Sequence, residues 1–163
     1  TEKVKKIFKN TKVLNERELE ARYSIKQEMY IKMVQIEARV LGDLALNHVL
    51  PTAFKYQNLL LENVNAFRSI FGEKEFSKQC SNQLELIQDI STRINAISTF
   101  VHDLIEARKK ANVIEDVKEK AMEYCLQVKP FFEKIRTHVD KLEILVDDEL
   151  WPLPKYREML FVK

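Results

Sequence analysis

The stretch QIEARVLGDLALNHVLPTAFKYQN, from Gln35 to Asn58, decides the fold of this chain. Its apolar residues recur at steps of three and four, which is the spacing of side chains along one face of an α-helix. This first stripe extends in both directions and consists of Val34, Ala38, Leu41, Ala45, Val49, Ala53, Tyr56, Leu60, Val64, Phe67 and Phe71. A second stripe, about 100° round the helix, consists of Ile25, Met29, Met33, Ile36, Val40 and Leu44. An apolar surface this wide predicts a helix that is buried on two sides.

Pro51 lies inside this pattern. Proline has no amide hydrogen for the carbonyl four residues earlier, that of Asn47, and its ring crowds that carbonyl, so a helix bends or stops there. Because the first stripe keeps its spacing across Pro51, we predict one kinked helix over residues 16–71 rather than two helices. Asn47 and His48 are predicted to satisfy the freed carbonyl. Gly42 has no side chain, which predicts close packing of a neighbouring helix at that point.

The composition favours long helices over a chain with many turns. Only 2 glycines and 4 prolines occur in 163 residues, enough length for one domain with a sizeable core. With 27 basic and 25 acidic residues, the net charge of +2 gives no case for nucleic acid or a membrane as partner. No apolar run approaches the roughly 18 residues of a membrane helix. The first residues, TEKVKKIFKN, are too few and too charged for a signal peptide.

The ends of the long helix carry recognisable signals. A lead-in over residues 1–15 contains a short amphipathic helix, after which Asn15 and Glu18 have the spacing of a capping box. Gly72 is placed to end the helix in a left-handed conformation.

Two heptad patterns follow and predict a helical hairpin. They cover residues 73–111 and 113–146, and Asn112 is predicted to cap the second helix. Pro130 should bend that helix without ending it, since the heptad stays in phase across it. Residues 147–163 lose the periodicity and form an apolar strap that should dock on the bundle or on a neighbouring domain. The predicted fold class is all-α: an antiparallel bundle of three to four long helices with a proline-kinked first helix and an extended C-terminal strap.

Residues able to perform chemistry are few and scattered. A glycine-rich phosphate loop is excluded, because the chain has only two glycines, Gly42 and Gly72, which are 30 residues apart. Cys80 and Cys125 fall on apolar stripes and are predicted to be buried free thiols rather than a disulfide or a metal pair. None of the three histidines follows a glutamate by three residues, as a di-iron bundle requires.

The remaining polar residues have structural interpretations. His102 and Glu106 lie one turn apart, and a solvated pair is favoured over a metal site. His138 lies on an apolar seam and is predicted to be a core histidine with one hydrogen bond. The acidic residues 147–149 follow a helix C-terminus, where negative charge is unfavourable, which predicts a lysine or arginine partner nearby.

Asp43, Asn47 and His48 form the one polar cluster beside a predicted backbone irregularity. Two interpretations stay open. The favoured one is that these side chains satisfy the proline kink. The other is that they contact another domain or a regulator.

Three segments together resemble the C-terminal segment of type III glutamine synthetases. These are ELEARYSIK from Glu18, the stretch from Gln35 to Asn58, and DDELWPLPKYREMLF from Asp147. The resemblance is dense over residues 16–71 and 145–161. Between those ranges only length and helical character agree.

The resemblance implies a parent enzyme that is bacterial, cytoplasmic and assembled as a double ring of subunits. Such an enzyme uses ATP and Mg²⁺ to form glutamine from glutamate and ammonia, and its sites lie in a β-rich barrel whose motifs have no counterpart here. We therefore expect no catalytic, cofactor-binding or metal-binding residue in this chain, which begins with Thr1 and is expected to be a fragment. Its expected partners are the catalytic domain of the parent chain and neighbouring subunits, in an architectural, oligomerisation or regulatory role.

An alternative from another class is a stand-alone coiled-coil adaptor that binds partner helices. The heptads alone fit this hypothesis. A native polypeptide of about this chain's mass would favour the adaptor.

Overall fold

The computed structural model describes residues 2–160, which form helices and no strands, so the all-α prediction is confirmed. The helices are α1 (Glu2–Asn10), α2 (Glu16–Leu44), α3 (Leu50–Ile70), α4 (Glu73–Gln79), α5 (Ser81–Val113), α6 (Val117–Glu123), α7 (Pro130–Leu145) and α8 (Tyr156–Leu160). There are also two five-residue π turns among these residues. The first, Ala45–Val49, joins α2 to α3, and the second, Tyr124–Val128, follows α6 and precedes α7. The last part of the predicted strap, including Phe161, lies outside the described residues.

The helical backbone continues through Pro51 by means of the first π turn. The Leu50 amide donates to the Ala45 carbonyl, five residues back, and both residues keep right-handed helical dihedrals. A π turn accommodates one extra residue, and the wider turn makes room for the proline ring. The backbone is therefore helical without interruption from Glu16 to Ile70, whereas the proline alone would suggest two independent helices.

Pro130 follows the second π turn in the same way. The Lys129 amide donates to the Tyr124 carbonyl at 2.9 Å, again five residues back. Both prolines come six residues after the first residue of their π turn. In both places, a π turn before the proline lets the helical backbone continue past it.

The predicted helix over residues 73–111 is interrupted, which corrects the sequence-based boundary. At Cys80 the backbone dihedrals are φ −101° and ψ 0°, outside the helical range, and α4 and α5 meet there. The side chain of Cys80 is buried. The alternating steps of four and three begin at Cys80, with Leu84 and Ile87, so the heptad covers α5 and not α4.

The predicted start of the next helix is also wrong. Asn112 belongs to the last turn of α5, and the cap of α6 is Asp116, whose carboxylate accepts from the Glu119 amide at 2.8 Å. The Asn112 side chain instead accepts from the Tyr124 hydroxyl at 2.6 Å and from the Gln35 amide at 3.0 Å. Its role is to connect α2, α5 and the second π turn.

Two predictions about glycine and one about capping have different outcomes. Asn15 and Glu18 form the predicted capping box, with bonds of 2.9 and 2.8 Å. Gly72 is extended, with φ −69° and ψ 160°, and precedes α4, so the left-handed cap is wrong. Gly42 faces Val101, but a Cβ there would lie 3.7 Å from the nearest side-chain atom, an ordinary contact. Packing therefore does not require a glycine at residue 42.

Helix α5 lies at the centre of the core. It packs against α2, α3 and α7, and α6 packs against the first half of the chain through α2. The largest fully buried side chains are Tyr124, Ile90, Ile97, Leu104, Ile135, Leu142, Val34, Val49, Val101, Val128 and Cys80. Trp151, from the strap, joins the same core.

Candidate docking surface

The histidine and carboxylate pairs named from the sequence do not form a reactive site. Glu106 pairs with Lys109 at 2.7 Å, which lowers the pKa of the Glu106 carboxyl. His102 is exposed, and its nearest carboxylate, 3.7 Å from Nδ1, is that of Asp103. Among residues 2–160, no three His, Cys, Asp or Glu side chains gather closely enough to hold a metal ion.

His138 is half-buried beside Phe100, with ring centroids 5.7 Å apart. Its Nδ1 is buried and has no hydrogen-bond partner among the described residues, so the single bond predicted for this histidine is not found at that atom. The aromatic contact places His138 in the packing of α5 against α7.

The two cysteines lie in different environments, and the prediction is wrong for one of them. Cys80 is buried, but Cys125 is exposed. The reason is the second π turn, which directs its first and last residues, Tyr124 and Val128, into the core and leaves Cys125 outside.

Burial raises the pKa of the half-buried Tyr30 to about 12, and the neighbouring Cys125 thiol adds to the rise.

The polar cluster at the first π turn bonds to itself rather than to the helix. The Asn47 amide donates to the Asp43 carboxylate one turn earlier. The side-chain amide of Asn47 is thus bonded to Asp43 and not to the freed carbonyl, so the prediction for Asn47 is wrong. The backbone itself resolves the conflict through the π turn, and all three side chains face outward.

The acidic residues after α7 have the basic partners that the sequence predicted. The Asp148 carboxylate accepts from both Lys155 and Arg157. Lys155 is buried, and its Nζ also donates to the Val146 carbonyl at 3.1 Å, at the C-terminus of α7. We call Asp148, Lys155 and Arg157 the strap latch, since it fastens the residues on both sides of the buried Trp151.

The second apolar stripe of α2 is not covered by any other element within residues 2–160. Five of its side chains are 51–65% exposed, and Leu44 alone is half-buried; the five, called here the outer face, are Ile25, Met29, Met33, Ile36 and Val40. The prediction that α2 is buried on two sides is therefore wrong within the described residues. The buried residues of α2 lie on its other side; they are Ile31, Val34, Ala38 and Gly42, and Gly42 faces Val101 of α5.

Grooves lie at both ends of the outer face. Ile36 and Val40 border one of about 440 Å³, whose opposite wall is formed by Phe132 and Val139 of α7. A larger one, of about 1030 Å³, lies between Phe8 of α1 and the end of the face at Ile25 and Met29. Both are mainly apolar, so the surface is a row of grooves rather than a flat patch.

Sequence reasoning missed the contribution of α7 to this surface. Phe132 and Val139 lie within the second heptad range, 113–146, and the heptad pattern alone does not indicate what each side chain meets. Their separation of seven residues, which places both on one side of a helix, is the signal that could have identified a second apolar line.

The charges along the outer face are predominantly positive. Four basic and two acidic residues lie between residues 22 and 40. Arg22, Lys26 and Lys32 form no salt bridge with another described residue. An apolar surface with unpaired cations at its edge is suited to a partner that carries carboxylates.

No helix within residues 2–160 is both long enough and apolar enough to cross a membrane.

Comparisons of the sequence with a family model and with individual proteins point to the same family. The family model described as "Glutamine synthetase C-terminal domain" matches residues 1–68. Over 93% of its length the chain is 51% identical to a glutamine synthetase of Bacteroides fragilis (strain YCH46). Over its whole length it is 32% identical to a type-3 glutamine synthetase of Dictyostelium discoideum. The chain spans only 21% and 22% of these two relatives, and the matched region is their C-terminal part.

Proposed function

Since the chain belongs to the glutamine synthetase family, of which it is a C-terminal domain, we propose that it is a non-catalytic, architectural part of that enzyme. The parent would be a cytoplasmic, oligomeric ligase that forms glutamine from glutamate and ammonia with ATP and Mg²⁺. The domain would hold the catalytic part of its own chain and neighbouring subunits in position, or transmit regulation between them.

One observation carries the non-catalytic assignment. The polar side chains that lie close together here are bonded to one another in ways that fasten the fold, as in the strap latch and in the pair of Glu106 with Lys109. The described residues offer neither a cluster of metal-ligating side chains nor a glycine-rich loop for phosphates. ATP and Mg²⁺ would therefore bind in another part of the parent chain.

The test uses the full-length enzyme. His48→Ala, His102→Ala and Cys125→Ser each remove an exposed side chain of a type that can take part in catalysis. We expect kcat/KM for glutamine formation to stay within twofold of the unmodified enzyme in all three. A companion variant, Ile97→Asp, places a charge in the core of the domain. We expect it to reduce the fraction of assembled enzyme in size-exclusion chromatography, without changing the activity per assembled subunit.

Two results would contradict this assignment. A tenfold loss of kcat in any of the three exposed variants, with assembly intact, would place chemistry in the domain. Normal assembly of the Ile97→Asp enzyme would remove the architectural role.

A further inference from the structure

We propose that the outer face of α2 is covered, in the full-length chain, by the part of the same polypeptide that precedes this domain. The inference rests on the proposed function, in that it takes the chain to be one domain of a longer enzyme. It adds the surface through which that domain is held and the identity of what holds it.

The first argument is the extent of the surface. From Ile25 to Val40 the face follows α2 for about 22 Å, at 1.5 Å per residue. Exposed apolar side chains are ordinary when they occur singly, but a contiguous row bordered by grooves marks an interaction site. Within residues 2–160 no element covers this row. A partner outside the described residues must do so if the face is to leave water.

The second argument is the position at which the preceding polypeptide arrives. Helix α1, at the start of the chain, is fastened to α2 by Lys5, which pairs with Glu20 at 3.0 Å and approaches Glu16 at 3.8 Å. Phe8 of the same helix borders the groove at Ile25 and Met29. The matched region is the C-terminal part of the longer relatives, so their remaining residues precede it. Those residues therefore reach the domain at one end of the outer face.

The third argument concerns charge and shape. Between residues 22 and 40, the part of α2 that carries the outer face, basic residues outnumber acidic ones by four to two, which favours an occupant with an apolar ridge and flanking carboxylates. The same excess disfavours a second copy of the face, because a two-fold pair would bring like charges together. Met29 and Met33 are unbranched, so the middle of the face can adapt to a partner of irregular shape.

The test measures access to the face in the assembled full-length enzyme. Met33→Cys and the control Thr99→Cys, at an exposed polar position of α5, are each made in a Cys125→Ser background. Both are treated with N-ethylmaleimide, and the modified peptides are quantified by mass spectrometry. We expect the Met33→Cys enzyme to react at residue 33 at least tenfold more slowly than the control reacts at residue 99. Equal rates would overturn the proposal.

A second measurement identifies the occupant. Residue 33 is replaced by a photoreactive benzophenone amino acid in enzyme assembled from equal amounts of ¹⁴N and ¹⁵N chains. We expect cross-links to peptides that precede Thr1, joined only to residue 33 of a chain with the same isotope. Mixed-isotope products, or cross-links between two copies of α2, would overturn it. Neither measurement depends on where the chemistry occurs, so the non-catalytic assignment can fail while this inference holds.

Discussion

Gly42 shows at the scale of one residue how a sequence signal can be given the wrong cause. A glycine inside a helix suggests that a neighbour approaches too closely for any side chain. The neighbour is Val101, and the distance that a Cβ would have to it, 3.7 Å, is an ordinary van der Waals contact. The residue is buried in a helix that does not need its conformational freedom.

Gly42→Ala is therefore expected to stabilise the fold. The free energy of unfolding should rise by about 1 kcal/mol, because alanine is the better helix former and gives up less backbone freedom on folding. Urea denaturation followed by circular dichroism measures the change. Gly42→Val is the matched control and should destabilise, since its additional methyl groups press against Val101. A destabilised alanine variant would show that α2 and α5 pack more tightly than the distance indicates.

Asn112 shows what spacing cannot reveal about a single side chain. From the sequence it has the residue type and position of a helix cap. In the structure its oxygen accepts from Tyr124 and Gln35, which are 12 and 77 residues away. Such a partner depends on which helices meet, and local pattern contains no information about that. The cap that does exist, Asp116, lies four residues further along.

At the scale of helices, the first π turn left a signal in the sequence. Leu41, Ala45, Val49 and Ala53 are separated by three consecutive steps of four. In an α-helix each such step moves the side chain about 40° round the axis, so the stripe would drift by about 120°. The last three are nonetheless all buried. The extra residue of the π turn absorbs the drift, and the three consecutive steps of four could have predicted it.

The beginning of α6 gives a prediction at the same scale. Asp116→Ala removes the acceptor for the Glu119 amide and should lower the free energy of unfolding by about 1 kcal/mol. Asp116→Asn keeps an acceptor at the same position and should cost only a small part of that. Thermal unfolding of both variants measures the difference. Equal losses would mean that the charge of Asp116, rather than its hydrogen bond, stabilises the helix.

For the whole molecule, the strap latch connects the C-terminal residues to the bundle. The hydrogen bond from Lys155, with a further contribution from Arg157, holds the pKa of the Asp148 carboxyl below its usual range. The charged form is thus favoured in the folded state. Its contribution to stability is present above the pKa of an unfolded aspartate, about 4, and is lost as the pH falls below that.

Asp148→Asn should therefore flatten the acid limb of the stability profile. Between about pH 4 and pH 2 the melting temperature of the variant should fall less steeply than that of the unmodified chain. Glu149→Gln is the control, since that neighbouring carboxylate has no ion pair with another described residue, and its profile should stay unchanged. Parallel slopes for the Asp148→Asn variant and the unmodified chain would show that the latch contributes nothing to folding.

The limits of sequence reasoning are also visible at this scale. The all-α class and the capping box at Asn15 follow from local patterns, and the structure agrees. The exposure of the outer face does not follow from them. Periodicity shows that one side of a helix is apolar, but it does not show whether that side is covered by residues of this chain or by another partner. The groove wall at Phe132 and Val139 was missed for the same reason.

The two π turns have a consequence for comparing homologous chains of different length. Deleting one residue within Ala45–Val49, together with replacing Pro51, would restore an ordinary turn and leave α3 facing the core as before. The same deletion in the middle of α5 would rotate every following side chain by about 100°. Single-residue gaps in an alignment of such chains should therefore cluster at these two turns.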